Sequence, residues 1–234
     1  MATAEVDPDG RWLYRTGGIS ALVLGVAYLV IIGLYVPIGA PPTGVEARLT
    51  YLSGHTAVWW GILGLSVLTD FLFVPVALAL YLALKQVNKN AMLLATACVA
   101  LFVFLDLALT WTNYATLIAF SGKYVTAASE AQRAAVVGVA NYPSAVLDSG
   151  LLFVYNTLVL AVGILMTGYV MLNGIFNKST AYLGVATGTL GIVSVLGSFF
   201  ASSMSVAIIL TSMLTTIWVL VVGYRLCRLG SVRS

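Results

Sequence analysis

Six apolar segments, each about twenty residues or longer, constrain the fold of this chain more than any other feature. A helix needs about 20 apolar residues to cross a hydrocarbon core ~30 Å thick. Only 8% of the 234 residues are charged and the mean hydropathy is +1.03, whereas a soluble domain carries about 25% charged residues. We therefore predict an all-α, polytopic membrane protein with a single six-helix bundle. The predicted transmembrane helices 1 to 6 cover residues 17–36, 57–84, 91–120, 146–172, 181–200 and 205–224.

The basic residues predict how this bundle is oriented. Six crossings place both termini on one side, and cytoplasmic flanks are enriched in lysine and arginine. The terminal side holds eight such residues and the other side three, so we expect both termini in the cytoplasm. The eight are Arg11, Arg15, Lys85, Lys89, Lys178, Arg225, Arg228 and Arg233, and the three are Arg48, Lys123 and Arg133. The predicted domains are a cytoplasmic tail at 1–16, a transmembrane domain at 17–228 with a long external loop at 121–145, and a cytoplasmic tail at 229–234.

Several functional classes find no support in the sequence. A nucleic-acid-binding protein needs a basic, aromatic-bearing soluble face, whereas the basic residues here flank membrane segments. Cys98 and Cys227 both fall near the predicted cytoplasmic side, so we expect neither a disulfide nor a thiolate metal site. The only histidine, His55, is interpreted as an interfacial residue without a special role. We predict no metal, no cofactor and no nucleic-acid partner; membrane lipids are the expected surroundings.

Three aspartates lie inside predicted transmembrane helices: Asp70 in helix 2, Asp106 in helix 3 and Asp148 in helix 4. An ionisable group at the centre of a membrane helix costs at least ~3 kcal/mol and usually faces the bundle interior or a wet cavity. We expect no lysine or arginine among these acids. At least one of Asp70 and Asp106 is therefore expected to hold a proton at neutral pH.

Depth and helical periodicity direct polar residues of these three helices toward one volume. Counted from the predicted outer helix ends, Asp70, Asp106 and Asn156 lie roughly 16–21 Å deep, near the middle of the bilayer. At about 100° per residue, each helix turns a polar stripe to one face. We predict a polar pocket that descends from the external face to Asp70 and Asp106. Its predicted ligand-binding residues are Trp59, Asp70, Asp106, Thr110, Trp111, Asn113, Tyr114, Asp148, Tyr155 and Asn156.

Local patterns outside this pocket also predict structure. Residues 37–57 are expected to form an external loop, and the turn at residues 85–90 is short enough to make helices 2 and 3 antiparallel neighbours. Ser129 followed by Gln132 fits a capping box, which opens a short surface helix ending at Asn141-Tyr142-Pro143. Small residues on helix 5 indicate close packing inside the bundle or against another subunit; they are Ala181, Gly184, Gly188, Gly191 and Ser198. The hydroxyl face of helix 6 is interpreted as packing; it carries Ser205, Ser212, Thr215 and Thr216.

Two stretches of the chain resemble a known family. They are residues 74–85, which are followed by Val87-Asn88-Lys89, and the closing residues 217–224. They are similar to a large family of prokaryotic multi-pass proteins that is defined only as a domain of unknown function. The resemblance implies a six-helix bundle of about this length in the inner membrane of a prokaryote. It implies no activity and no site residues.

Three functions are compatible with this pattern. The first is a binding or transport protein whose aspartate pocket between helices 2, 3 and 4 takes a small solute or cation. The second is a non-catalytic subunit or scaffold of a larger membrane complex, which would associate with other subunits or with itself through helix 5. The third is an intramembrane enzyme that acts on a lipophilic, isoprenoid-like substrate with an aspartic acid as general acid. The sequence does not decide whether the protein is an enzyme.

Overall fold

The computed structural model describes residues 10–200 and 205–231. Every regular element within these residues is helical, so the predicted all-α class is confirmed for them. Two short π-helical segments interrupt the α-helices. In chain order the elements are α1 (Arg11–Ile38), α2 (Val45–Gly54), α3 (Thr56–Leu105), the first π segment (Asp106–Trp111), α4 (Thr112–Val125), α5 (Glu130–Asp148), α6 (Leu151–Phe153), the second π segment (Val154–Leu158), α7 (Val159–Met171), α8 (Lys178–Ser198) and α9 (Ser205–Ser231).

Five helical stretches of the described chain are long and apolar enough to span a membrane. They are Arg11–Ile38, Thr56–Val125, Leu151–Met171, Lys178–Ser198 and Ile209–Ser231. The second stretch has 70 residues, which as a straight helix would be about 105 Å long, far longer than a bilayer is thick. It therefore has to fold back on itself.

The reversal of this long stretch lies at Asn88, whose backbone is non-helical (φ −154°, ψ 94°). The Asn88 side-chain oxygen accepts a hydrogen bond from the Ala91 N–H at 3.0 Å, which caps the arm that follows. The rings of Phe73 and Phe102 then meet edge to face with centroids 5.4 Å apart. Such contact requires antiparallel arms, so the predicted turn at residues 85–90 is confirmed.

The bundle closes around small residues. Helix α8 packs against α7 and α9, and a Cβ added at Gly188 would lie 2.5 Å from the Leu165 backbone nitrogen. A Cβ at Gly184 would lie 2.6 Å from Trp218 Nε1. The small-residue stripe of α8 thus packs inside the bundle, as the first of the two predicted alternatives. The opposite face of α8 exposes Tyr182, Val193 and Leu196.

Two segments between the long apolar helices differ from the prediction. Residues 37–57, predicted as a loop, contain α2, a short helix that buries Leu49 and Leu52 on one face. The helix that begins at Glu130 does not end at residues 141–143. It continues through Pro143 to Asp148, and the chain turns at Ser149-Gly150 instead.

Other boundaries agree more closely. Ser129 caps α5 by accepting from the Gln132 N–H at 3.3 Å, and the Gln132 side chain accepts from the Ala128 N–H at 2.9 Å. The predicted start of this helix is confirmed. Helix α1 begins at Arg11 and α9 continues to Ser231, so both extend beyond the apolar segments that predicted them.

Candidate functional site

Asp70 and Asp106 lie on opposite arms of the long helical stretch that reverses at Asn88, and they share one hydrogen-bond donor. Trp111 Nε1 donates to Asp70 Oδ2 at 3.0 Å and to Asp106 Oδ2 at 3.1 Å. Asp70 is 2% exposed and Asp106 5% exposed. The predicted meeting of Asp70 with Asp106 inside the bundle therefore occurs, with a neutral indole N–H between the two carboxyl groups.

The first π segment is what brings Trp111 to Asp106. These residues are five apart, and in an α-helix their side chains would point about 140° away from each other. A π-helix closes its turns between residues five apart and places them on one face. The Thr112 hydroxyl shows the same register, because it donates to the Leu107 carbonyl at 2.8 Å, again across five residues. Such π bulges are frequent at functional sites.

Part of the acid pair is left without a partner. Asp106 Oδ1 and the Thr110 hydroxyl are buried, and neither has a hydrogen-bond partner among the described residues. Thr110 lies close enough to Asp106 to interact with its carboxyl group, although their geometry falls short of a hydrogen bond. No basic side chain in the described part of the chain forms an ion pair with either Asp70 or Asp106. A buried carboxylate oxygen without a partner is costly, so it is the first place to look for a ligand.

A cavity of about 360 Å³ lies next to this pair. Asp106 and Trp111 form part of its wall, and Asn156 and Thr157 of the second π segment form another part. The predicted pocket lay between helices 2, 3 and 4, whereas this cavity also includes residues of α1, α8 and α9. Most of its lining is apolar. Its hydroxyl-bearing residues are Tyr28, Ser66, Thr157, Thr187, Thr211, Ser212, Thr215 and Thr216.

Four of these hydroxyls make the same local hydrogen bond. Each donates to the carbonyl oxygen four residues earlier in its own helix, at 2.8 or 2.9 Å. A hydroxyl that has donated its hydrogen can offer only lone pairs to a cavity. Sequence reasoning treated the α9 hydroxyls as packing groups; their helical spacing was the signal that they share a face. The four are Thr187, Thr211, Thr215 and Thr216.

Asp148, the third predicted acid, is in a different setting. It forms an ion pair with Arg48 of α2, and the same guanidinium donates to the Ser144 carbonyl at 3.0 Å and to the Ser144 hydroxyl at 2.8 Å. Arg48 is 4% exposed. The expectation that no cation lies among the three acids is therefore wrong for Asp148. Arg48 was assigned to an external loop, and only the folding of α2 brings it to α5.

Aromatic rings lie between Asp148 and the Asp70–Asp106 pair. Tyr114 stacks on Trp59 with ring centroids 4.9 Å apart, and its centroid is 5.9 Å from that of Trp111. Tyr114 is also within electrostatic range of Arg48 and Asp148. The predicted polar descent from the external face is thus occupied by a stack of three rings, Trp59, Tyr114 and Trp111, which we call the aromatic column.

The remaining predicted ligands are placed as follows. Asn113 is buried and donates to the Leu109 carbonyl of its own helix. Tyr155 is half-buried and does not line the cavity, whereas its neighbour Asn156 does. His55 lies between α2 and α3, where its Nδ1 hydrogen-bonds to the Tyr51 carbonyl at 2.9 Å. The described residues contain no cluster of three or more side chains suited to a metal ion.

Comparison with known proteins gives the family. The family model described as Domain of unknown function (DUF4386) matches residues 12–229. The chain belongs to the DUF4386 family. The resemblance to a family defined as a domain of unknown function is thereby confirmed, and the match to DUF4386 includes both the aromatic column and the acid pair. No curated protein and no solved structure matches the DUF4386 chain significantly.

Proposed function

We propose that this chain is a six-span protein of a prokaryotic inner membrane with both termini in the cytoplasm. The reversal at Asn88 supports the six-span count, because it divides the 70-residue stretch into two antiparallel arms. Eight basic residues on the terminal side against three on the other support the orientation. A fusion reporter at either terminus measures it: an active alkaline phosphatase fusion would contradict this topology.

We further propose that the cavity binds, and in transport would pass on, a small organic cation. The observation that carries this proposal is the buried Asp106 Oδ1 atom, which belongs to a residue of the cavity wall and has no hydrogen-bond partner among the described residues. A positively charged N–H donor at that atom would satisfy it. Charge-assisted hydrogen bonds of this kind are about twice as strong as neutral ones.

The other polar groups of the cavity favour the same ligand class. Four hydroxyls of α8 and α9 have already donated to their own helices, and the indole N–H of Trp111 is occupied by the two aspartates. These groups consequently offer the cavity acceptors rather than donors, which suits a ligand that donates. A volume of about 360 Å³ lies in the range of small-molecule sites and exceeds what a bare metal ion fills. A protonated amine or guanidinium with a short apolar body matches both requirements.

The test uses purified protein in lipid nanodiscs and a set of small probes. Methylammonium, tert-butylammonium and methylguanidinium are titrated by calorimetry against wild type, with the uncharged tert-butanol as the matched neutral compound for tert-butylammonium. We expect at least one cation to bind and tert-butanol not to bind. Asp106→Asn is expected to weaken that binding by about tenfold to a hundredfold, since a hydrogen bond to a charged group contributes ~1.5–3 kcal/mol.

Glu130→Gln provides the control, because it removes one carboxylate charge at an exposed position at the start of α5. Its affinity for the probes should equal that of wild type. Equal binding by wild type and Asp106→Asn would reject the proposal. Selective binding of an uncharged, isoprenoid-like lipid in place of every cation would favour the intramembrane enzyme, and a stoichiometric copurifying membrane protein with no probe bound would favour the subunit function.

A further inference from the structure

A second cavity lies at the end of the bundle where α1 begins and α9 ends. Its volume is about 650 Å³, and its wall includes Arg11, Arg15 and Arg228. The two helices touch closely there: a Cβ added at Gly230 would lie 2.9 Å from the Arg15 backbone nitrogen and 3.1 Å from the Arg11 carbonyl oxygen. This contact fixes three guanidinium-bearing residues around one space, which we call the arginine groove.

The charge of the arginine groove is not balanced within the described residues. No carboxylate of the described residues forms an ion pair with Arg11, Arg15 or Arg228; the two ion pairs seen among those residues lie at α2 and α5. The Arg228 guanidinium lies 6.0 Å from the ring centroid of Tyr224, which is also in the wall. Planar guanidinium groups match phosphate oxygens in geometry as well as charge, so the groove suits a phosphate group.

The groove continues into an apolar, exposed surface of α1. Ile19 belongs to its wall and is 49% exposed. Arg15, Ile19 and Val23 follow at intervals of four residues along α1, which places them on one helical face, and Val23 is also exposed. This face therefore has positive charge at the helix end and exposed aliphatic side chains beyond it. An anionic phospholipid complements that order, with its headgroup at the interface and its chains below.

We propose that the arginine groove binds one anionic phospholipid, with the phosphate between Arg11, Arg15 and Arg228 and an acyl chain along Ile19 and Val23. Basic pockets between membrane helices on the cytoplasmic side are typical of such sites. A soluble phosphate would use the arginines but leave the apolar continuation without a role, which is why the lipid is the better occupant. This proposal is independent of the aspartate cavity.

Native mass spectrometry of the detergent-purified chain tests the proposal. Phosphatidylglycerol and cardiolipin are added in turn, with phosphatidylcholine as the zwitterionic comparison. We expect one anionic lipid to remain bound at least tenfold more strongly than phosphatidylcholine. Each of Arg11→Gln, Arg15→Gln and Arg228→Gln should weaken retention about fivefold, as expected for one basic side chain near a membrane surface, and the triple variant should lose the preference.

Arg133→Gln is the matched control, since it removes an arginine at an exposed site on α5 and should retain the lipid like wild type. Melting temperatures identify variants that fail to fold, and the triple Arg→Lys variant keeps the charge in case the Gln variant is unfolded. It should keep part of the preference. Equal retention by wild type and the folded Gln variants would overturn the proposal. Displacement of the lipid by millimolar inorganic phosphate or glycerol phosphate would overturn it too, in favour of a soluble ligand.

Discussion

Asp148 and the Asp70–Asp106 pair show two ways in which a membrane protein carries carboxylates. Asp148 meets Arg48, so a side chain of the same protein balances its charge. Asp70 and Asp106 meet a neutral indole N–H, and no basic side chain of the described residues pairs with them. Asp106 also faces a cavity, whereas Asp148 lies beyond the aromatic column. We infer that the balanced acid serves the structure and that the unbalanced pair serves a ligand.

The largest effect is expected when the balanced acid loses its cation. Arg48→Met keeps most of the side-chain volume but leaves Asp148 and Ser144 without their donor. Removing one partner of a buried ion pair costs about 3–5 kcal/mol, and we expect about 3 kcal/mol because the Asp148 side chain is 33% exposed. Denaturation in mixed micelles measures this loss of unfolding free energy.

Asp106→Asn is the counterpart in the same assay. It removes a charge that no cation of the described residues balances, so we expect the unfolding free energy to stay equal or to rise. The double variant Arg48→Met/Asp148→Leu should recover part of what Arg48→Met loses, because an apolar pair needs no compensation. A loss at Asp106→Asn as large as the loss at Arg48→Met would remove the distinction between the two acid environments.

A smaller effect, a coupling free energy between two substitutions, should show that Asp70 and Asp106 belong to one hydrogen-bond network. Trp111→Phe deletes the shared donor, and Asp70→Leu deletes one of its acceptors at similar volume. Residues in one hydrogen-bond network couple by 0.5–3 kcal/mol, and we expect about 1 kcal/mol between these two changes. The corresponding cycle of Trp111→Phe with Asp148→Leu should give coupling below about 0.5 kcal/mol, as for independent sites.

Both cycles are measured by unfolding in micelles. Equal coupling in the two cycles would mean that the aromatic column joins Asp148 and the Asp70–Asp106 pair into one network. The proposed separation of structural and ligand-binding acids would then be wrong.

Features that depend on neighbouring residues in the chain were predictable. The turn at residues 85–90 could be read from Lys85, Asn88 and Lys89 between two apolar runs, and the packing of α8 from the spacing of its glycines. The meeting of Asp70 with Asp106 followed from the same logic, because a short turn sets two arms side by side and equal depth sets their acids together.

Features that depend on distant contacts or on a change of helical register were not predictable. Arg48 and Asp148 are 100 residues apart in sequence, and no local pattern connects them. The first π segment has an ordinary helix-forming sequence, yet it rotates Trp111 onto the face of Asp106. A uniform 100° per residue therefore placed the acids, and Trp111 was predicted as a pocket residue, but this spacing could not show that Trp111 turns to the face of Asp106 and donates to both acids.

The smallest effect is expected at the exposed pair of Arg133 with Glu130, whose N–O distance is 3.3 Å. Like the Arg48–Asp148 pair, it joins an arginine to a carboxylate, but the side chains of Arg133 and Glu130 are 46% and 90% exposed. Exposed pairs contribute at most about 1 kcal/mol, and an i,i+3 pair on a helix about 0.2–0.5 kcal/mol. Arg133→Gln should therefore change the unfolding free energy by less than about 0.5 kcal/mol, and high salt should abolish even that. The difference between Arg133→Gln and Arg48→Met isolates what burial adds to an ion pair in this bundle. If the two variants lost the same free energy, burial would not set the cost of an unbalanced charge here, and the unpartnered oxygen of Asp106 would no longer indicate a ligand.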